Sequence, residues 1–484
     1  MNSSANTPSK KPSYQADFGK CFRSLTDEQI ERLHQASCEI LSRTGIRFHH
    51  QEAVDLFQRA GAEITDGNLV HIPIKLVEKA LKTAPENIIV YDQLGQIAMD
   101  LGGCRNYYGP GSDCLHIYDL HKGHRRKAVL QDVVLGIQLA DILPNIDFIM
   151  SCFLPSDVPE DEYERQQMAV MLRDSTKPII FVGIEEKSTI YALKMASIAA
   201  GSEEQLQKYP FVINYVNTVS AFQHNYESVA RLLYAAERNI PTIYAPGKHR
   251  GMTSPITQAG ALALGGAGQL AGLVLSQIKR EGSPFIISNP GQGTLDMRTM
   301  LGLYNAPEDG PYGWDMAHYY RLPNFAIAGA SDAKVFDAQA AADAALSLLS
   351  VTMGGANLIH DIGYLDCAMT GSLELMLLGN EIIGWIKRYL ADLEINDDTL
   401  ALDLIHNVGP DGYFIDAKHT LSHVREDWLP TLFDRHDYHQ WSENGETTLQ
   451  TRANTQIKDL LASHQPKHLE RDIEKKLMNV IDEE

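Results

Sequence analysis

Eight short apolar runs, each followed by a helix-length segment, constrain this chain more than any other feature of its sequence. They are NYYGPG (from residue 106), IDFIMSCF (146), PIIFVGIE (178), PFVINYVNT (210), PTIYAPG (241), PFIISNPG (284), NFAIAGAS (324) and NLIHDIGY (357). Near-continuous apolar strands alternating with helices indicate parallel βαβ units, in which the sheet is covered on both faces. Eight such units is the number that closes a barrel. An open, doubly wound sheet is the alternative, but no GxGxxG follows an early strand, and glycine-rich ends recur after nearly every run. The expected fold is therefore α/β, a (βα)8 TIM barrel. Its first strand is the least regular, because a hairpin, CLHIYDLHKGHRRKA, precedes its helix.

The flanks read differently. Thr26 and Gln29 have capping-box spacing, Ile30, Leu33, Ile40 and Leu41 follow helical periodicity, and Gly45 fits the C-terminal stop. A second helix (51–60), a short strand LVHIPI, a third helix (75–83) and two β segments, NIIVYDQ and QIAMDL, follow. This predicts a disordered tail over 1–18, an N-terminal αβ cap over 19–104, a catalytic barrel over 105–395 and a helical C-terminal extension over 396–484. The most apolar helix, 259–278, is interrupted by Gly265, Gly266 and Gly268 and carries Gln269 and Gln277. It reads as a closely packed barrel helix and not as a membrane span.

Composition narrows the partners. A formal net charge of −20 argues against nucleic acid, whose binding relies on Lys and Arg to release counterions. Such acidity suits a cationic small molecule, although solubility is the simpler account of it. The six cysteines are scattered, with no CxxC pair, which points to a reducing cytoplasm.

In a barrel of this kind the functional groups stand at the C-terminal ends of the strands. Those ends offer Asn214, Tyr215, Asn217 and Thr218; Tyr244, Lys248, His249 and Arg250; Asn289, Gln292 and Asp296; Ser331, Asp332 and Lys334; and His360, Asp361 and Tyr364. Amides and aromatics abound there, and paired carboxylates are scarce. His360 and Cys367 share a segment, but without a second Cys pair no metal site is expected. GALALGGAG lacks the Gly-Lys-Ser/Thr of a phosphate loop. A Schiff-base lyase or aldolase would use Lys334, which reads more simply as a solvated residue at a helix entry. Several strand-end aromatics together could enclose a quaternary ammonium by cation–π attraction.

IYDLHKGHRRKAVLQDVV, LADILPNIDF, GASDAKVFDAQAAAD, GGANLIHDIGYLD and HNVGPDGYFIDAKHT, in that order, together with TDEQIERLHQASCEIL, resemble the trimethylamine–corrinoid methyltransferase family. The resemblance implies a TIM barrel that moves a methyl group from a methylated amine to the Co(I) of a corrinoid (cobalamin) on a separate protein, with no tightly bound cofactor and with a homo-oligomer allowed. The family's methanogen trimethylamine enzymes carry pyrrolysine, whereas this sequence holds only standard residues. Pyrrolysine's imine captures an amine through its lone pair, and a quaternary ammonium has none. The resemblance therefore points to the betaine-using branch, with glycine betaine or a related betaine as methyl donor. On that reading His360, Asn214 and Asn217 face the substrate carboxylate, and Tyr215, Tyr244 and Tyr364 form the cage. A non-catalytic betaine-binding protein is the remaining alternative.

Overall fold

The computed structural model describes residues 21–483 except Lys248, residues 290–292, Asn305 and residues 466–468. The expected tail (1–18) and two of the strand-end residues, Lys248 and Gln292, lie outside the described residues.

Seven strands form one parallel sheet: Tyr107–Tyr108, Ile179–Val182, Val212–Thr218, Thr242–Pro246, Phe285–Ser288, Asn324–Ile327 and Leu358–His360. The eighth position is taken by residues 147–150, which close the ring. Backbone N–H groups of Asp147 and Phe148 donate to Tyr108 O, at 2.6 and 3.3 Å, and Ile149 bridges Ile179 in parallel. All eight predicted runs thus become barrel staves, and the irregular one is the second, reduced to a bridge. The hairpin foreseen after the first strand is present, His116–Tyr118 against Arg125–Lys127, and it pairs onward with Thr370–Gly371. Its guanidinium at Arg126 grips both oxygens of Asp132, at 2.6 and 2.7 Å, and pins the hairpin to the first barrel helix.

Before the barrel, Thr26 and Gln29 complete the predicted capping box of helix Asp27–Glu39, which packs on the apolar helix Gln258–Lys279. That apolar helix is long and apolar enough to cross a membrane, yet 89% of its apolar window is buried inside the fold. Its glycines admit close neighbours: a Cβ on Gly272 would lie 2.3 Å from the Tyr244 ring. The predicted β segments form an antiparallel pair, Ile88–Tyr91 with Ile97–Leu101. Ile88, Val90, Met99 and Leu101 pack directly on the inward-facing Ile180, Ile213, Ile243, Ile286 and Leu358. This hairpin seals the barrel end where the strands begin. Each such aliphatic side chain taken from water contributes about 1.5–3 kcal/mol.

After the barrel, helix Leu449–Ser463 lies against Leu130–Ile142 and Leu373–Leu390, and helix Arg471–Ile481 lies against Tyr163–Asp174 and Glu186–Ala200. Cys21 and Cys104 are joined across a Cα separation of 6.0 Å. The join ties the segment before the first helix to the entry of the first barrel strand, and across a sequence separation of 83 the chain gives no hint of it.

Candidate functional site

A cavity of about 510 Å³ opens at the C-terminal ends of the strands. Above the sealed base, the next inward layer comprises Tyr215, Ala245, Ser288, Phe325, Ile327 and His360, with Asn217 and Asn289 nearer the rim. The alternation of strand side chains decides who enters. In the fourth strand Ile213 faces the barrel base, and two and four residues on, Tyr215 and Asn217 face the cavity.

Three aromatic rings pack as a unit. His360 stacks on Phe325, with centroids 3.8 Å apart, and Tyr215 meets Phe325 edge-on at 4.9 Å. Tyr304 lines the same cavity and donates its hydroxyl to Oδ2 of Asp361. Asp361 lies behind Tyr304 and His360, only 2% exposed. Its Oδ1 sits 2.6 Å from Nδ1 of His360 but is not aligned for a hydrogen bond. Burial first, and then the Asp361 charge, push the Tyr304 and Tyr215 phenols well above the ordinary tyrosine range, so both stay protonated and neutral. Asp361 holds a left-handed backbone, φ 74°, a conformation that Asp tolerates better than most residues. Its carboxylate fits only because Gly111 has no side chain: a Cβ there would lie 2.0 Å from Oδ1.

Of the six residues expected to hold substrate, Tyr215, Asn217 and His360 line the cavity. The other three face elsewhere. Asn214 is fully buried on the outer face of its strand, its amide 3.5 Å from Arg231 O in the helix layer. Tyr364 donates its hydroxyl to Ser112 O, at 2.6 Å, and is committed to the wall behind Gly111. Tyr244 also points outward, where its hydroxyl lies 2.8 Å from Nδ1 of His224. The Schiff-base candidate Lys334 is 61% exposed, with its ammonium on Asp332 O and beside Asp366, and does not line the cavity.

The burial of His224 has a measurable consequence. Burial drives the His224 pKa from 6.5 down to about 3, so the folded state keeps this ring neutral. Between those values the unfolded chain binds a proton that the folded chain refuses, so stability is complete above the ordinary imidazole range and is lost as pH falls below it. Thermal unfolding should therefore show about 2 kcal/mol less stability at pH 5 than at pH 7 from this one group. A His224→Gln variant should flatten that slope; an unchanged slope would remove His224 as its source.

Sequence reasoning missed Tyr304, Phe325 and the residues around them. Tyr304 arrives on a hairpin after the sixth strand, Thr294–Asp296 paired with Leu301–Leu303, which also brings Leu301, Gly302 and Leu303 to the cavity. Arg250 at the end of the fifth strand steadies that hairpin through the Thr294 hydroxyl, at 2.6 and 2.9 Å. The tip leaves Met297 and Met300 more than half exposed beside the mouth. Cys367 lines the cavity too; burial, and next its contact with Asp332, push its thiol up to about 11.

The arrangement can hold a small organic cation. Electron-rich ring faces attract positive charge, and a buried carboxylate behind them adds Coulombic attraction in a medium less polarisable than water. Comparison with known proteins places the chain in a family. Residues 3–484 match the family described as trimethylamine methyltransferase (MTTB). The glycine betaine methyltransferase of Desulfitobacterium hafniense (strain Y51) is 28% identical over 95% of this chain and 96% of its own. The trimethylamine methyltransferase MttB of Desulfitobacterium hafniense (strain DSM 10664 / DCB-2) is also 28% identical, over 95% and 93%. The monomethylamine methyltransferase MtmB of Methanosarcina barkeri shares the fold, with a TM-score of 0.53 at 10% identity over 92% of this chain and 90% of that one. Barrel, cavity and full-length match converge, and the chain belongs to the trimethylamine methyltransferase family.

Proposed function

We propose that this methyltransferase takes its methyl group from a quaternary amine of the betaine type and passes it to the Co(I) corrinoid of a separate protein. The observation that carries the reading is the set of aromatic faces, Tyr215, Phe325, His360 and Tyr304, backed by the buried carboxylate of Asp361. None of the described lining residues is a lysine, and a quaternary nitrogen has no lone pair with which to join an electrophile. Holding and aiming are what remain for the protein to do.

The step itself is a displacement. Co(I) supplies the electron pair for the new bond to the methyl carbon, the C–N bond breaks, and its electrons leave on a neutral tertiary amine. No proton moves. The ring faces hold the ammonium, Asn217 and His249 near the rim can receive the donor's carboxylate, and one methyl faces the open mouth. The apolar tip around Met297 and Met300 suits a partner that must press a corrin ring against that opening. Co(I) survives only under reducing conditions, which favours a cytoplasmic setting.

Relatives named for glycine betaine and for trimethylamine are equally similar to this chain, so the donor has to be tested. Incubation with cob(I)alamin should yield methylcobalamin and the dimethylamino acid from glycine betaine or a bulkier betaine, and nothing from trimethylamine. Turnover of trimethylamine with every betaine inert would overturn the proposal.

A further inference from the structure

Between Ala391 and Thr431 the chain leaves the barrel, forms three short helices and returns, and not one residue in that stretch is buried. The helices are Asp397–Leu400, Leu402–Val408 and Lys418–His423. Helices this short are marginal in water without tertiary packing. Ties within the stretch include His419 Nε2 with Asp398 O at 2.9 Å and Thr420 Oγ1 donating to Phe414 O at 2.6 Å. The segment is nevertheless rich in large apolar side chains held out in water: Leu393 is 82% exposed, Ile395 70%, Tyr413 84%, Ile415 80% and Leu421 66%.

We infer that this arm is an interface between two copies of the chain. Eleven large apolar residues in the stretch are exposed. At roughly 100 Å² each they present on the order of 1,000 Å² per chain, about two to three times the largest apolar patch of a typical soluble monomer. Two such arms together reach about 2,000 Å², where obligate homodimer interfaces begin. A surface with no buried residue of its own needs a partner present whenever the chain is folded, and a second copy always meets that condition.

The arm's position argues against the methyl acceptor as occupant. Helix Leu373–Leu390 starts beside the cavity mouth, where Ser372 N donates to Gly363 O at 2.8 Å. Its far half lies at the opposite end of the barrel, where Asn145, just before the second stave, donates to Asn380 and accepts from Lys387 at 3.2 Å. The arm leaves from that end and is fastened back to it: Trp428 stacks on Trp385 at 5.7 Å, Arg388 pairs with Asp427 at 2.6 Å, and Glu381 accepts the backbone N–H groups of Thr431, Leu432 and Phe433. A protein that presents cobalt to the mouth works at the other end.

The test is the mass of the full-length protein by light scattering at micromolar concentration, together with hydrogen exchange across the arm. A mass at least twice the 53.8 kDa of one chain is expected, with protected amides in the arm helices. The double substitution Tyr413→Asp with Ile415→Asp should halve that mass and expose those amides, with the far-UV spectrum kept, because both side chains are solvent-facing within one chain. A wild-type monomer would overturn the inference, and with the arm unprotected it would make a different protein the occupant. An oligomer whose mass and arm protection ignore the double substitution would overturn it equally.

Discussion

Asp361→Asn should raise KM for the methyl donor about 100-fold and leave kcat within a few-fold of wild type. The split follows from where charge resides during the reaction. The donor nitrogen is fully positive in the bound substrate and becomes neutral as the C–N bond breaks. An anion that attracts the cation therefore stabilises the bound substrate at least as much as the transition state, so losing it raises KM and does not lower kcat. The expected 100-fold corresponds to about 2.7 kcal/mol, within the range for an unscreened charge pair. Asparagine keeps the shape and one acceptor for the Tyr304 hydroxyl, so the wall should stand while the charge goes. Steady-state kinetics with the preferred betaine reads the result. A fall in kcat at constant KM would show that Asp361 acts on chemistry and not on cation binding.

Gly111→Ala should produce nearly the same kinetic change without touching a charge. The added Cβ would lie 2.0 Å from Asp361 Oδ1 and 2.5 Å from the Tyr364 ring, so the carboxylate must swing away from His360 and Tyr304. Overpacking of this kind costs about 1–3 kcal/mol of stability, which thermal unfolding would register as a lower melting temperature. The decisive measurement is the double variant. If Gly111 acts by seating Asp361, adding Gly111→Ala to Asp361→Asn should raise KM little further. A KM at the wild-type value in Gly111→Ala would show that the carboxylate's place does not matter.

These residues also show what sequence could and could not reveal. The barrel was legible because its eight apolar runs differ in period and length from the helices between them, and even the weak second stave kept its apolar character. Which strand-end residues enter the cavity was not. In a parallel barrel both strand faces are buried, so the polar–apolar alternation that marks orientation in an exposed sheet is missing. Asn214 and Tyr215 stand side by side and face opposite ways, and the outward Tyr244 looks in sequence like any other strand-end ring. Tyr304 was hidden for another reason. It sits on a hairpin between the sixth strand and its helix, and only pairing in space carries it over the mouth. Asp361 stood in the right place in the sequence, but its tie to Tyr304 crosses 57 residues.

The antiparallel pair that seals the barrel base also governs traffic. With Ile88, Val90, Met99 and Leu101 filling the end where the strands begin, the described residues close the cavity at its base and leave it open at the mouth. On the proposed reaction, both the amine and the cobalt must use it. A corrin ring pressed over the opening shuts the amine in or out, so the donor has to arrive first and the demethylated amine cannot leave until the methylated carrier has departed. The enzyme then works as an airlock with one door, and an excess of carrier protein would slow it by standing in the way of the next donor.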